Sequence, residues 1–287
     1  MNTSSAWRIM WREVYNDKMA LFGLIVFILI VAIVYIWYPF IDQAAALRID
    51  VFNRNQPPSA EYWLGTDSGG RDMMLNLILS ARNSFNIAFL ITIGAGIIGV
   101  LVGLISGFKG GHVDNAIMRV LDFIGMVPFL VMIIVFVSII PNYSVVTFSL
   151  IFIAFSWQGT ARLIRAKALQ QGQLDYVSAS KTLGTRNIVI MFREVLPNLV
   201  SIIVSNLTIS LAANMGVETG LTFLGFGLPH GTPSLGRLVF NASVLYDMQN
   251  RMWVWLPAAL LIVVMMLCIN FVGQALNRAA DAKKRSI

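Results

Sequence analysis

The chain has 287 residues, of which 57% are hydrophobic and only 12% charged, with a formal net charge of +7 and a mean hydropathy of +0.74. Soluble domains carry about 25% charged residues, so composition alone excludes an ordinary soluble domain and points to a polytopic membrane protein. The single cysteine, Cys268, lies in an apolar run and excludes a disulfide framework or a cysteine metal site.

Trp7, Arg8, Trp11 and Arg12 make the segment 1–18 read as a short interfacial helix. Six spans are expected, at about 19–38, 84–107, 120–140, 144–165, 198–220 and 252–276. The first is long enough for about 30 Å of hydrocarbon, and no small-residue cleavage site follows it. With the N-terminus inside, fifteen Lys/Arg fall in cytoplasmic segments and six outside, a positive-inside bias that places both termini in the cytoplasm. The basic residues are dispersed among the spans, so the positive charge describes topology and not nucleic-acid binding.

Residues 39–83 form a long external loop, and long loops without regular structure are usually functional or packed on something. It carries Leu64-Gly65-Thr66-Asp67, then Gly70-Arg71-Asp72, and later Ala81-Arg82-Asn83-Ser84. The glycines and the Thr-Asp pair describe a tight turn, with Arg71 able to pair with Asp67 or Asp72. In the second span Gly99, Gly103 and Gly107 form a small-residue ridge suited to close helix approach. Pro128 predicts a kink in the third span. Asp122 is expected to pair with Arg119. A fourth helix from about Tyr143 to Gln171 overruns the membrane and delivers the next loop to the cytoplasm.

That loop, 172–197, reads as two short helices. Asp175 is expected to cap the first, with Tyr176, Ala179 and Leu183 on one face. Gly184 supplies the left-handed position that ends it. Thr185 is expected to cap the second, where Ile188, Met191, Phe192 and Val195 make an amphipathic pattern that Pro197 terminates. The fifth span is polar, with Ser201, Ser205, Asn206, Thr208, Ser210, Asn214 and Glu218. Such stripes mark helix packing or a water-lined path, and an intramembrane carboxylate is a functional candidate by default. Trp253 and Trp255 are expected to anchor the sixth span, and 277–287 is a basic cytoplasmic tail.

No phosphate-loop spacing occurs, so the chain is not expected to hydrolyse ATP itself. Two histidines, His112 and His230, with no paired carboxylates in a span, leave no metal site expected.

Four of these blocks fall in the order of a known family. They are Leu64 to Asp72, the Val113-Asp114…Met118-Arg119…Asp122…Pro128 spacing, Tyr176-Val177…Ala179…Leu183-Gly184 with Leu196-Pro197-Asn198, and Glu218…Leu221…Phe223-Leu224-Gly225…Gly227 with Pro233-Ser234…Gly236. Together they resemble the C-type transmembrane subunit of ABC importers for oligopeptides, dipeptides or nickel. The chain departs from the pattern at Tyr62-Trp63, Ser80, Thr222 and Leu235.

The resemblance implies an all-α membrane protein with six transmembrane helices in a domain 19–276. It implies cytoplasmic coupling helices in 172–197, with Tyr176, Ala179, Leu183, Gly184 and Pro197 at the ATPase dock. It implies an external scoop in 39–83 built on Leu64, Gly65, Thr66, Asp67, Gly70, Arg71 and Asp72. Ser205, Thr208 and Glu218 become candidates for the translocation path. The implied partners are a homologous second permease, two ABC ATPases holding ATP and Mg, an extracytoplasmic solute-binding protein and a peptide substrate, in a bacterial cell membrane and with no nucleic acid. The rival reading is a stand-alone ion-coupled secondary transporter or channel built on Glu218. Within the family, scarce histidines and carboxylates favour peptide over nickel.

Overall fold

The computed structural model describes residues 3–229 and 231–285. His230, and the side chains of Trp7 and of the tail from Asp281 onward, lie outside what it describes. In chain order the helices are α1 Thr3–Asn16, α2 Lys18–Trp37, α3 Gln43–Ala46, α4 Met73–Lys109, α5 Gly111–Gly125, α6 Phe129–Ile139, α7 Val145–Ser156, α8 Gln158–Gly172, α9 Asp175–Thr182, α10 Asn187–Ile190, α11 Leu196–Phe223, α12 Leu235–Phe240, α13 Leu245–Asn250 and α14 Leu256–Arg285. Among the described residues the only bridge outside helices joins Thr66 and Asp72.

Among the described residues four helices are long and apolar enough to cross a membrane: 18–40, 73–109, 187–223 and 256–280. A fifth results if α5 and α6, bent by 72° at their junction, make one span. Length and apolar character therefore reach four or five crossings, where six were expected. The difference lies in α7 and α8. The single helix expected from Tyr143 to Gln171 breaks at Trp157. Around that break the Trp157 indole N–H donates to the Ala154 carbonyl at 2.8 Å and the Gln158 amide to the Phe155 carbonyl at 3.2 Å. Side chains thus supply donors where the regular ladder is interrupted.

The second span starts earlier than expected. α4 runs unbroken for 37 residues from Met73, roughly 55 Å. Asp72 caps it by accepting the Met74 and Leu75 N–H at 2.7 and 3.3 Å. Pro128 does more than kink the third span: it sits between two separate helices, in an extended conformation that no α-helix continues.

α4 is the central strut. Its glycine ridge lies against α8, where a Cβ on Gly99, Gly103 or Gly107 would come within 2.8 Å of the Trp157 carbonyl, 2.5 Å of the Ala161 carbonyl and 2.4 Å of the Arg165 carbonyl. The ridge is thus a packing device, with backbones too close for any side chain. α11 packs on α4 and α14, and α14 also carries α2 and α1. The N-terminal helix α1 buries Met10 and Val14, the latter beside Ala20 and Ala275, and an Arg278–Asp17 ion pair ties the two ends of the chain.

Candidate functional site: a braced helical corner and a knotted loop

The loop between α8 and α11 folds as a stiff corner. α9 ends in a double closure: the Gly184 N–H bonds the Lys181 carbonyl at 3.0 Å and the Thr185 N–H bonds the Ser180 carbonyl at 3.1 Å. This is the geometry that needs a left-handed residue, and Gly184 has φ +78°. The two expected caps are not made. Leu174 precedes α9 and Arg186 precedes α10, neither with a side-chain cap bond, so Asp175 lies within the first turn and Thr185 outside the second helix.

Pro197 does not terminate the second helix. α10 continues into α11 through a π-helical turn, Met191–Val195, in which the Leu196 N–H reaches back to the Met191 carbonyl. Proline has no N–H and crowds the carbonyl four residues earlier, and a wide turn absorbs that conflict without ending the helix. The Asn198 amide donates to the Glu194 carbonyl at 2.9 Å.

Polar bonds and a buried cluster brace the corner. The Ser180 hydroxyl sits 2.9 and 2.8 Å from the two Glu194 carboxylate oxygens. The Tyr176 hydroxyl donates to Gln171 at 2.8 Å, and burial pushes its pKa up, so it stays protonated for that bond. Val177, Ile190, Met191, Val195 and Leu199 are buried with Leu104, Ile164 and Ala168 of α4 and α8. The expected amphipathic face therefore splits. Met191 and Val195 turn inward, whereas Leu183, Ile188 and Phe192 are 85%, 68% and 40% exposed. Ala179 is exposed and Tyr176 half-buried.

A second lock holds the same end of the bundle. Asp114 of α5 takes two bonds of 2.5 Å from the Arg165 guanidinium of α8 and another from Ser106. Asp122 pairs with Arg162 at 3.0 Å, not with Arg119 as expected from sequence. The neighbouring helix α8 offers a closer cation than its own.

On the opposite end, Leu64 to Asp72 forms a self-tied knot. The buried Thr66 hydroxyl donates to the Asn53 carbonyl at 2.5 Å and accepts the Gln56 N–H at 2.8 Å. Buried Asp67 accepts the Gly69 and Arg71 N–H at 2.8 and 2.9 Å. Of the two acids open to Arg71, Asp67 is the partner, at 3.8 Å, and the Arg71 Nε–H also bonds the Leu47 carbonyl. Gly65 (φ +69°) and Gly70 (φ +77°) are obligatory, because a Cβ at Gly70 would lie 1.9 Å from the Asp50 carbonyl oxygen. Half-buried Leu64 packs against the core cluster shared by α2, α4 and α14, and the Trp253 indole N–H donates to the Thr66 carbonyl at 3.3 Å.

Glu218 is fully buried near the C-terminal end of α11. Thr222 and Thr219 hydroxyls approach its carboxyl at 3.1 and 3.4 Å, and Ser84 of α4 bonds it too. The same end of α4, together with Tyr143, holds the 221–251 loop. The Leu235 N–H donates to Ser84 at 3.1 Å, the Asn83 amide to the Pro233 carbonyl at 3.0 Å, and the Tyr143 hydroxyl to the Gly227 carbonyl at 2.7 Å. Ser205 faces α14 and bonds the Gly273 carbonyl at 3.3 Å; Thr208 bonds the Val204 carbonyl of its own helix at 2.8 Å. The geometry does not bring Ser205, Thr208 and Glu218 to a common site. The braces Ser180–Glu194 and Asp114–Arg165 were missed in the sequence. Only the first, between adjacent helices of one loop, left a local trace.

Residues 99–286 match the family model described as binding-protein-dependent transport system inner membrane component, and residues 5–58 match the N-terminal TM domain of oligopeptide transport permease C. The chain is 43% identical over 273 residues to the oligopeptide transport system permease protein OppC of Lactococcus lactis subsp. cremoris (strain SK11), covering 95% of this chain and 93% of that one. It is 30% identical to the dipeptide transport system permease protein DppC of Bacillus subtilis (strain 168), covering 96% and 85%. Its fold is similar to a chain of the MetNI methionine ABC transporter in an inward-facing conformation, with a TM-score of 0.59 at 18% identity over 72% of this chain and 97% of that one. The corner and the 221–251 loop both lie inside the matched stretch, and by that match this chain belongs to the family of binding-protein-dependent transport system inner membrane components.

Proposed function

We propose that the chain is the permease subunit of an ATP-driven importer of oligopeptides or dipeptides, working with a homologous second permease, two ABC ATPases and an external solute-binding protein. ATP and Mg belong to the ATPases, and this chain binds no cofactor. The observation that carries the reading is the corner at 175–195: three large apolar side chains stand exposed on a loop that is otherwise braced by ion-strength hydrogen bonds and a buried cluster. A stiff lever with an apolar tip suits a part that must transmit a partner's motion, because a floppy loop would absorb it. Burying each of Leu183, Ile188 and Phe192 in a partner's groove contributes up to about 2 kcal/mol.

In this reading α7 and α8 together make the sixth crossing, both termini and the 172–197 corner face the cytoplasm of a bacterial cell, and the 39–83 knot faces outward as a scoop. The ATPases close on ATP, the corner follows, and α8 and α11 carry the motion into the bundle. Alternating access results: peptide enters an outward cavity and hydrolysis resets it inward. Peptide specificity draws on the names of the relatives and on the neutral donors and acceptors of α11.

The test is uptake by the reconstituted transporter. A labelled oligopeptide should accumulate in proteoliposomes only with ATP, ATPases and binding protein present. Accumulation of nickel instead, or uptake by the chain alone under a pH gradient, would overturn the assignment.

A further inference from the structure

The stretch 175–195 carries five charged side chains: Asp175, Lys181, Arg186, Arg193 and Glu194. Three of them are already occupied. Both Glu194 carboxylate oxygens lie against the Ser180 hydroxyl, and the Lys181 Nζ stands 5.3 Å from the centre of the Phe108 ring. Asp175 sits in the first turn of α9, where a carboxylate faces the unpaired N–H groups of the helix start. Arg186 and Arg193 differ from these. Both are exposed, and neither guanidinium has a side-chain partner among the described residues.

Their placement gives them a common role. Arg186 and Arg193 are seven residues apart, about two turns, and so form one row along the second helix of the corner. Exposed Ile188 and Phe192, four residues apart, form the row beside it, while Ile190, Met191 and Val195 fill the buried side. A partner that covers the apolar row therefore brings its edge against the two arginines. Positive charge on that edge would repel; carboxylates there would steer the encounter and fix its register, and a guanidinium fork matches a carboxylate in shape. Anionic lipid headgroups are the other source of negative charge. A membrane surface suits a helix laid flat along a continuous apolar face. α9 has only 8 residues and the chain turns at Gly184, with Leu183 on the point of the turn. That shape fits a groove.

We propose that the corner docks in an ATPase groove with an apolar floor and one acidic edge, the edge that meets Arg186 and Arg193. This rests on the importer reading above and adds the chemistry of the partner's face. Docking is then sensitive to salt as well as to apolar contact.

The test is titration of the purified ATPase subunit onto the full chain, assembled with its second permease in neutral phosphatidylcholine nanodiscs. Between about 0.1 and 1 M NaCl the Debye length falls from about 10 to about 3 Å, which screens exposed charges and leaves apolar burial intact. The parent should lose about fivefold or more in affinity over that range. Arg186→Gln with Arg193→Gln should weaken one of the two ATPase sites about fivefold at low salt and flatten its salt dependence, the size expected for two exposed pairs. Glu at both positions should weaken that site further, because it sets like charges face to face. Full affinity in the Gln variant, or a parent indifferent to salt, overturns the proposal and leaves the ATPase dock standing. A loss seen only when the nanodisc contains anionic lipid also overturns it, because the arginines then belong to headgroups. No ATPase binding by the parent at either salt overturns the importer reading, and the proposal with it.

Discussion

At the scale of single residues, three positions separate stability from function. Leu183 is 85% exposed, so Leu183→Asp removes almost no internal packing. The protein should reach the membrane at normal levels while peptide-stimulated ATP hydrolysis falls at least about tenfold, since a charge in an apolar dock is poorly tolerated. Gly184 acts differently. Nothing lies within 4 Å of a Cβ placed there, so the cost of Gly184→Ala is backbone strain alone, about 1 kcal/mol. Gly184→Asp adds a charge beside Leu183 and should abolish uptake without loss of protein, read by transport assay against membrane immunoblot. Gly70→Ala belongs to the other class. It meets the Asp50 carbonyl at 1.9 Å, so the knot must open. Limited proteolysis should then cut within 47–72, where the parent chain resists.

At the scale of elements, legibility divided along contact distance. Gly184 could be read because left-handed closure is a local requirement with one favoured residue type. The glycine ridge could be read because its spacing alone aligns it on one helix face, as its contacts with α8 bear out. Asp114–Arg165 was hidden because its partners are 51 residues apart and nothing local distinguishes Arg165 from Arg162. The early start of α4 was masked by Asn76, Arg82 and Asn83, which interrupt the apolar run but face protein or cavity and not lipid. The amphipathic pattern of 188–195 was visible, yet periodicity cannot tell a face turned to the chain's own core from one left for a partner. Only packing separated Met191 and Val195 from Ile188 and Phe192.

Gly103→Leu pushes a side chain into the Ala161 carbonyl at 2.5 Å and should separate α4 from α8, lowering the folded yield by detergent size-exclusion chromatography. Ser180→Ala leaves Glu194 short of its hydroxyl donor but keeps the buried cluster. Its expected cost is about 1–2 kcal/mol of local stability. Amide exchange should speed up in 175–195 and stay unchanged elsewhere.

At the scale of the whole molecule, the two ends are built alike. Each is a loop stiffened by glycine corners and buried polar bonds, fixed to opposite ends of the α4 strut. Between them lie long packed helices, in which Glu218 is enclosed by hydroxyls that also hold the 221–251 loop, an environment that argues against solitary ion chemistry. The chain as we propose it to work therefore needs partners, with the corner as the place where an ATPase docks. The most direct measurement is affinity purification of the tagged full chain in mild detergent, beside its Leu183→Asp/Ile188→Asp variant. The account predicts that the parent chain brings down a second multi-span subunit and two nucleotide-binding subunits, and that the variant keeps the former and loses the latter. Recovery of the parent chain folded but without ATPases, or equal recovery of ATPases by the variant, would contradict it.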